Sequence, residues 1–144
     1  MDIGLGIQDN FNSDDTIAAI NSFSYGLGFN ILVIDYNLFS TSFFEKLLTK
    51  MGCNVYTASS GFEGLELYKL LPNTISLLII NLFMPEMDGL AIYSIFKTLN
   101  PSIKVILLVE PNQNIEFQLN LDIEALLEKP IDFLKLSNIL RKLV

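Results

Sequence analysis

The stretch LLIINLFMPEMDG, residues 77–89, decides the fold prediction for this chain of 144 residues. Its first four residues are aliphatic. A short apolar run bounded by polar or breaker residues is typical of a strand that is buried on both faces of a sheet. The polar residues that follow end the strand and place Asn81 at its tip. The stretch therefore predicts an inner strand of a parallel sheet, with a polar side chain at its carboxyl end.

The same pattern continues on both sides of this stretch. From Asn30 onward, short apolar runs alternate with segments of helical periodicity, which indicates a parallel sheet covered by helices. The predicted strands are residues 31–34, 55–57, 77–80, 105–109 and 125–127. The predicted fold is therefore α/β, a doubly wound five-stranded parallel sheet with helices on both faces.

The predicted helices between these strands each carry one apolar face at helical spacing. The residues of the four faces are Phe44, Leu47, Leu48 and Met51; Phe62, Leu65, Tyr68 and Leu71; Ile92, Ile95, Phe96 and Leu99; and Leu136, Ile139, Leu140 and Leu143. Asn37 is expected to cap the first helix, with Gly52 as its stop, and Ser60 and Glu63 have the spacing of a capping box. Residues 112–121 have only a weak helical pattern. We expect the four faces to pack in the core.

The domain division follows from composition. Residues 1–28 are rich in Gly, Asn, Ser and Asp and are expected to be an N-terminal extension, partly disordered or with one short helix at 14–23. Residues 29–144 are expected to form the single α/β domain. No apolar run approaches the roughly 20 residues that cross a bilayer, and no basic residue precedes Lys46, so we expect a cytoplasmic protein without a membrane segment or a secretory signal.

The residue counts exclude several kinds of site. Cys53 is the only cysteine and the chain has no histidine, which excludes an internal disulfide and a Cys/His zinc site. The formal net charge of −7 opposes binding to a nucleic-acid backbone, and no cluster of Lys or Arg offsets it. We therefore expect no nucleic acid among the partners.

Reactive groups in an open parallel sheet gather at the carboxyl ends of the strands. In this chain those positions hold Asp35 and Tyr36 after the first strand, Asn81 after the third, and Val109 at the end of the fourth. Lys129 follows the fifth strand directly. We expect these five side chains to surround one mouth.

Three motifs in this sequence resemble those of the receiver domain of two-component response regulators. They are MPEMDG at 84–89, ASSGFEGL at 58–65 and EKP at 128–130, and the resemblance covers residues 30–144. It implies a flavodoxin-like domain in which two acids after the first strand and an aspartate after the third bind Mg²⁺. The last aspartate accepts a phosphoryl group, which a Ser or Thr after the fourth strand and a lysine after the fifth strand contact.

The resemblance also shows where this chain departs from the family pattern. Asp35 matches the first acid and Lys129 matches the lysine, which the family holds before a cis proline, here Pro130. The departures are Tyr36 at the second acid, Asn81 at the phosphoacceptor, Val109 at the Ser/Thr position and Leu126 at the aromatic position of the fifth strand. The resemblance thus implies an atypical receiver, a pseudo-receiver.

Each departure has a chemical consequence. A carboxamide such as Asn81 is neutral and does not attack a phosphoryl donor as a carboxylate does. Mg²⁺ is usually held by carboxylates and water, and Asp35 with Lys129 sums to about zero charge. Val109 has no hydroxyl to bind phosphate. We expect no catalytic residues, no cofactor and lost or weak Mg²⁺ binding.

The leading hypothesis is a non-enzymatic, phosphorylation-independent interaction module in signal transduction. Its expected surface is the face made by residues 112–121, the fifth strand and the terminal helix, including Phe133 and Leu134, for a protein partner or a homodimer. Val109 and Leu126 are expected to pack in one fixed arrangement, which gives the domain one dominant state.

Two alternatives stay open beside this hypothesis. The domain could still be phosphorylated or bind metal through a non-standard site, for which Glu110 is the candidate carboxylate, although we expect Glu110 to point to solvent. An unrelated flavodoxin-like enzyme or nucleotide binder is disfavoured because no glycine-rich loop follows the first strand. Taken singly, Asp35 could be a cap, Asn81 a turn residue and Lys129 part of a surface ion pair. We expect Lys129 to pair with Asp35 or to hydrogen-bond Asn81.

Overall fold

The computed structural model describes residues 28–71, 73–111, 113 and 120–143. The elements are β1 (Asn30–Ile34), α1 (Leu38–Lys50), β2 (Asn54–Ala58), α2 (Gly61–Leu70), β3 (Leu77–Asn81), α3 (Gly89–Leu99), β4 (Lys104–Val109), β5 (Ala125–Glu128) and α4 (Phe133–Leu143). All five predicted strands are present, each of them one or two residues longer than predicted. The expected helix at 14–23 lies outside the described residues, as does most of the weak helical segment at 112–121.

The five strands form one parallel sheet in the order β2-β1-β3-β4-β5. The predicted doubly wound α/β fold is therefore confirmed. Parallel strands have their carboxyl ends at the same edge of a sheet. The loops after β1, β3, β4 and β5 consequently meet at one edge, which we call the carboxyl edge.

Helices cover both faces of this sheet. On one face, buried residues of β1, β3 and β4 such as Val33 and Leu108 pack with α1 and α4. On the other face, the alternate residues of the same strands, such as Leu32 and Leu107, pack with α2 and α3. Strands β1 and β3 are buried on both faces, which explains their continuous aliphatic sequences.

The helix ends are fixed by the side chains that the sequence indicates. The Asn37 side chain accepts hydrogen bonds from the backbone N–H groups of Phe39 and Ser40, and Ser60 Oγ accepts one from Glu63 N at 3.1 Å. Such caps contribute about 1 kcal/mol each. Helix α1 ends just before Gly52, whose φ of 88° is in the left-handed region that favours glycine. Both predicted starts and the predicted stop are confirmed.

The predicted buried side of α2 is wrong in part. Phe62 is exposed and Leu71 follows the end of the helix, whereas Gly61, Gly64 and Tyr68 are the buried residues. A β-carbon on Gly64 would lie 2.5 Å from Ile34 Cδ1. The helix therefore contacts the sheet through Gly64, a position that carries no hydrophobic signal in the sequence.

Helix α3 shows a similar shift of its buried face. Ile92 and Phe96 are buried as predicted, but Ile95 and Leu99 are exposed and Tyr93 is buried instead. The Tyr93 hydroxyl accepts a hydrogen bond from Asp122 N at 2.8 Å, so its polar end is satisfied. The predicted face of α4 is confirmed, with Leu136 and Leu140 buried and Ile139 and Leu143 packed against them.

Two further features of the described residues concern the core and the helices. Cys53 lies in the core beside α1, and burial raises the pKa of its thiol, an effect that a backbone hydrogen bond involving Phe29 opposes. None of the helices in the described part of the chain has the length and apolarity that crossing a bilayer requires.

Candidate functional site

Backbone hydrogen bonds hold the site residues at the carboxyl edge. Asp35 N donates to Ala58 O at 3.0 Å, which fixes the residue that follows β1 against the end of β2. Lys129 N donates to Val109 O at 2.8 Å and so extends the β4–β5 ladder by one residue. The Lys129–Pro130 peptide bond is cis, as the resemblance implies. These bonds place Asp35, Val109 and Lys129 around one mouth.

Lys129 lies between two carboxylates. Its Nζ is 2.7 Å from Asp35 Oδ2 and 3.1 Å from Glu110 Oε2. The expected pair between Lys129 and Asp35 is therefore present, and both side chains are almost fully buried. The expectation that Glu110 points to solvent is wrong. Its side chain is one-third exposed and turns inward because the lysine ammonium offers a nearby charge.

The second oxygen of Asp35 has a local role. Asp35 Oδ1 accepts a hydrogen bond from Asn37 N at 3.0 Å, the geometry of an Asx turn at the start of α1. Asp35 therefore forms the turn and the ion pair at the same time. Both oxygens of this buried carboxylate have a donor, which a buried charge requires.

Asn81 is fully buried at the end of β3. Its Nδ2 donates to Phe83 O at 3.0 Å, two residues along the chain. Its Oδ1 is buried without a hydrogen-bond partner among the described residues. The expected alternative bond between Lys129 and Asn81 is therefore not made. The carboxamide orientation follows from its one bond, since a flipped amide would place two carbonyl oxygens against each other.

The three remaining sequence-predicted positions have different surroundings. Tyr36 is 45% exposed at the mouth. Val109 is buried, and Leu126 is half-buried in the same apolar cluster beside α3. Strands β4 and β5 pair in a register that sets Leu107 opposite Leu126 and Val109 opposite Glu128. Val109 and Leu126 thus share one packed environment.

The donor set at the mouth differs from a typical Mg²⁺ site. The described residues contain no group of three or more His, Cys, Asp or Glu side chains that could hold a metal ion. Asp35 and Glu110 contribute two negative charges and Lys129 one positive charge, so the three groups sum to minus one rather than to the zero expected from Asp35 and Lys129 alone. An ammonium group lies where the two carboxylates converge.

The face expected to bind a partner needs one correction. Phe133 is buried in the core beneath α4 and offers no surface, whereas Leu134 is exposed. Phe133 is the first residue of α4, and Leu136 and Leu140 follow it by three and seven residues, so all three lie on the same side of the helix. That side packs on the core, and Phe133 therefore packs inward. Most of the predicted helix at 112–121, which would form the rest of this face, lies outside the described residues.

One functional contact was missed at the sequence level, the ion pair of Glu110 with Lys129. A signal for it exists. Glu110 directly follows the end of β4, and Lys129 follows β5, the neighbouring strand, so their backbones are adjacent at the carboxyl edge. A buried lysine beside a free carboxylate would be expected to attract it.

A family comparison supports the assignment made from these features. The response regulator receiver domain model matches residues 31–141, which is most of the chain. The transcriptional regulatory protein ZraR of Escherichia coli strain K12 is 32% identical over 120 residues, covering 78% of this chain and 26% of that protein. The chain thus spans about a quarter of the length of this relative. The chemotaxis protein CheY of Treponema pallidum is 29% identical over 84 residues, 58% of each chain.

Solved structures show the same fold. A response regulator receiver domain protein from Clostridium thermocellum superimposes with a TM-score of 0.73 at 29% identity, covering 79% of this chain and 92% of that one. CheY in a complex with CheX, BeF₃ and Mg²⁺ from Borrelia burgdorferi gives a TM-score of 0.72 at 24% identity, covering 80% of this chain and 88% of that one. With the motifs, the sheet order and the lysine at the mouth, these matches lead to one conclusion: the chain belongs to the response regulator receiver domain family.

Proposed function

We propose that this receiver domain acts in signal transduction through protein contacts that do not depend on aspartyl phosphorylation. The observation that carries the proposal is the carboxamide of Asn81 at the end of β3, buried and held by its bond to Phe83 O. Attack on a phosphoryl donor requires an anionic oxygen nucleophile, and an amide oxygen is neutral. The position that corresponds to the family's phosphoacceptor therefore lacks its nucleophile.

The lysine geometry supports the proposal further. Lys129 Nζ is held by Asp35 and Glu110 at 2.7 and 3.1 Å. In the family the corresponding lysine contacts the phosphoryl group. If Lys129 moved to an incoming phosphate, its contacts with Asp35 and Glu110 would break. Each is a charge-assisted contact at the buried lysine and is therefore stronger than a neutral hydrogen bond. The lysine is thus engaged by the protein itself.

We also propose that Mg²⁺ binding is weak or lost, and that the domain uses no other cofactor. The residues at the mouth fit the ion poorly. Mg²⁺ requires near-octahedral oxygen ligands, and Asp35 already accepts bonds on both oxygens from Asn37 N and Lys129 Nζ. The ammonium of Lys129 repels a divalent cation from the same carboxylates. Tyr36 supplies no carboxylate beside them.

The position of Glu110 supports one alternative function, metal binding at a non-standard site. If Lys129 swings away, Asp35 and Glu110 remain as two carboxylates at one mouth, a minimal oxygen site for a divalent cation. Titration with Mn²⁺ distinguishes the alternatives, because a bound paramagnetic ion broadens nearby amide resonances. Broadening confined to the mouth at micromolar Mn²⁺ would support a non-standard metal site. Unaffected spectra would support the loss of metal binding.

Incubation with acetyl phosphate and Mg²⁺, followed by intact-mass measurement, tests the main proposal. We expect no added phosphoryl group. A receiver domain of established phosphorylation by acetyl phosphate, treated identically, is the control for reagent activity. A stoichiometric mass increase on this chain would overturn the proposal.

The proposed output surface is the face of β5 and α4, for a protein partner or a homodimer of a cytoplasmic, non-enzymatic module. Leu134 on α4 is an exposed apolar residue that a partner on this face would cover. If the domain forms a homodimer through this face, light scattering should show a concentration-dependent dimer that Leu134→Ser weakens. A dimer unaffected by that substitution would place the interface elsewhere.

A further inference from the structure

The exposed aromatic side chains of the described residues all lie shortly after the carboxyl ends of strands. These residues, together with one leucine, are Tyr36 at 45% exposure, Leu38 at 71%, Phe39 at 56%, Phe62 at 63% and Phe83 at 37%. We call them the aromatic rim. They follow the carboxyl ends of β1, β2 and β3, which are adjacent strands in the sheet. Adjacent strands lie about 4.8 Å apart, so the rim occupies one short edge of the molecule.

Contacts beneath the rim connect its parts. Asp35 N bonds to Ala58 O, which joins the segment before Tyr36 to the segment before Phe62. A β-carbon on Gly61 would lie 3.0 Å from Met87 Sδ, so the start of α2 packs against the loop after β3. The rim is thus built on a packed base, and its position is set by the fold.

Exposure on this scale indicates a binding surface. Exposed aromatic residues are enriched at protein interfaces, and contiguous apolar patches on a soluble domain usually mark a binding site. Helix capping explains none of these side chains, because Asn37 and Ser60 already cap α1 and α2. The rim is also separate from Leu134, since β5 lies two strands away from β3.

The charge around the rim determines the kind of partner. In the segments 35–39, 58–63 and 81–88, which carry the rim, every charged residue is an acid, and Lys129 at the neighbouring mouth is buried between Asp35 and Glu110. Glu63, Glu86 and Asp88 are exposed, and Glu110 is one-third exposed. A partner that covers the rim must therefore tolerate or neutralise negative charge, which Lys or Arg side chains do.

The same charge disfavours two occupants from this chain itself. A second copy would bring the same acids against these acids if the two rims met. Residues 1–27 contain Asp2, Asp9, Asp14 and Asp15 and no Lys or Arg, so the extension is also repelled. The occupant that fits is an external segment with apolar side chains flanked by basic ones.

We propose that the aromatic rim docks a basic amphipathic segment of a partner protein, with its apolar face on Phe39 and Phe62 and its Lys or Arg side chains beside Glu63, Glu86 and Asp88. This surface is additional to the face of β5 and α4. It does not depend on whether the domain is phosphorylated.

A peptide titration followed by NMR tests the proposal. The probe is a synthetic peptide of about 18 residues containing only Leu and Lys, with Leu at helical i, i+3, i+4 and i+7 spacing. Its controls are a scrambled peptide of the same composition and a peptide with Glu in place of Lys. We expect amide shifts at residues 36–39, 61–63 and 83–88, weaker binding at higher salt, and no comparable binding of either control.

Two variants locate the binding surface. Phe39→Ser/Phe62→Ser should weaken binding about tenfold or more, because exposed aromatic anchors dominate such interfaces. Leu70→Ser is the matched control, since Leu70 is an exposed apolar residue at the opposite end of α2. Glu86→Lys, a single substitution at an exposed position, should also weaken binding. It tests the same surface independently if the double variant fails to fold.

Several outcomes would overturn the proposal. These are shifts centred on α4, equal binding of the scrambled or the Glu peptide, full affinity in the rim variants, or an equal loss in Leu70→Ser. Self-association of the free domain that Phe39→Ser/Phe62→Ser abolishes would identify a second copy as the occupant instead. Phosphorylation of the wild-type chain by acetyl phosphate would overturn the proposed function. It would not change the result expected from the peptide titration.

Discussion

Lys129 is the residue on which the mouth of this domain depends. Its ammonium is buried and pairs with the fully buried Asp35 and with Glu110. Buried charges are costly when unpaired, and removing one partner leaves the others uncompensated. The pair with Asp35 could be predicted from the resemblance, because both residues match the family pattern. The contact with Glu110 was missed, although Glu110 and Lys129 follow neighbouring strands and that adjacency indicates the contact.

We expect Lys129→Met to destabilise the domain by about 3 to 5 kcal/mol, since it leaves the Asp35 carboxylate buried without a cation. Urea denaturation measures the change. Asp35→Asn combined with Lys129→Met should recover part of the loss, because both charges are then gone. The control is Lys69→Met. The side chains of Lys69 and of its partner Glu66 are largely exposed, so this substitution should change the free energy of unfolding by less than about 1 kcal/mol. Similar effects of the two lysine substitutions would contradict the account.

At the scale of elements, the strands were easier to predict than the helix faces. A strand buried on both sides has a continuous aliphatic sequence, so β1, β3 and β4 were evident. The buried faces of α2 and α3 depend on close approach to the sheet. Because they lack a β-carbon, Gly64 approaches Ile34 of the sheet and Gly61 approaches Ile92 of α3, and the bulky Phe62 is displaced outward. A hydrophobic pattern marks large apolar residues and so cannot locate a contact made through glycine.

Gly89, the first residue of α3, provides a test at this scale. A β-carbon there would lie 2.5 Å from Leu82 O and 2.7 Å from Asn81 O, both of which are backbone atoms. We expect Gly89→Ala to destabilise the domain by about 2 kcal/mol, because the loop after β3 must shift even though alanine favours a helix. Ser94→Ala, on the exposed face of the same helix, should change stability by less than about 0.5 kcal/mol. Equal thermal midpoints for the two variants would show that the loop accommodates the extra atom.

At the scale of the whole molecule, the proposal implies a domain with one dominant state. We propose that Val109 and Leu126 take the places of the hydroxyl and the aromatic ring of the family's switch; both pack in the cluster beside α3. An equilibrium shifts only when a ligand binds its two states differently. The fold could be predicted almost completely from the sequence. The proposed output surface was predicted only in part: Leu134 is exposed, but Phe133 is buried because it lies three and seven residues before Leu136 and Leu140 on the packed face of α4.

Addition of beryllofluoride and Mg²⁺ tests this implication. We expect the ¹H–¹⁵N spectrum of the domain to stay the same within experimental error, since neither the nucleophile nor the hydroxyl is present to hold the ligand. CheY of Borrelia burgdorferi, whose complex with CheX contains BeF₃ and Mg²⁺, serves as the comparison under identical conditions. Large shifts at β4 and β5 of this chain would demonstrate a second state.

The central claim is that receiver chemistry has been lost at several positions together, and Asn81→Asp tests it most directly. This variant restores the nucleophile but leaves Tyr36, Val109 and the lysine held by Glu110 unchanged. Intact-mass measurement after incubation with acetyl phosphate and Mg²⁺ gives the phosphorylated fraction of wild type and variant side by side. We expect little or no labelling of either chain. Robust Mg²⁺-dependent labelling of Asn81→Asp would contradict the account, because it would show that only the carboxylate was missing.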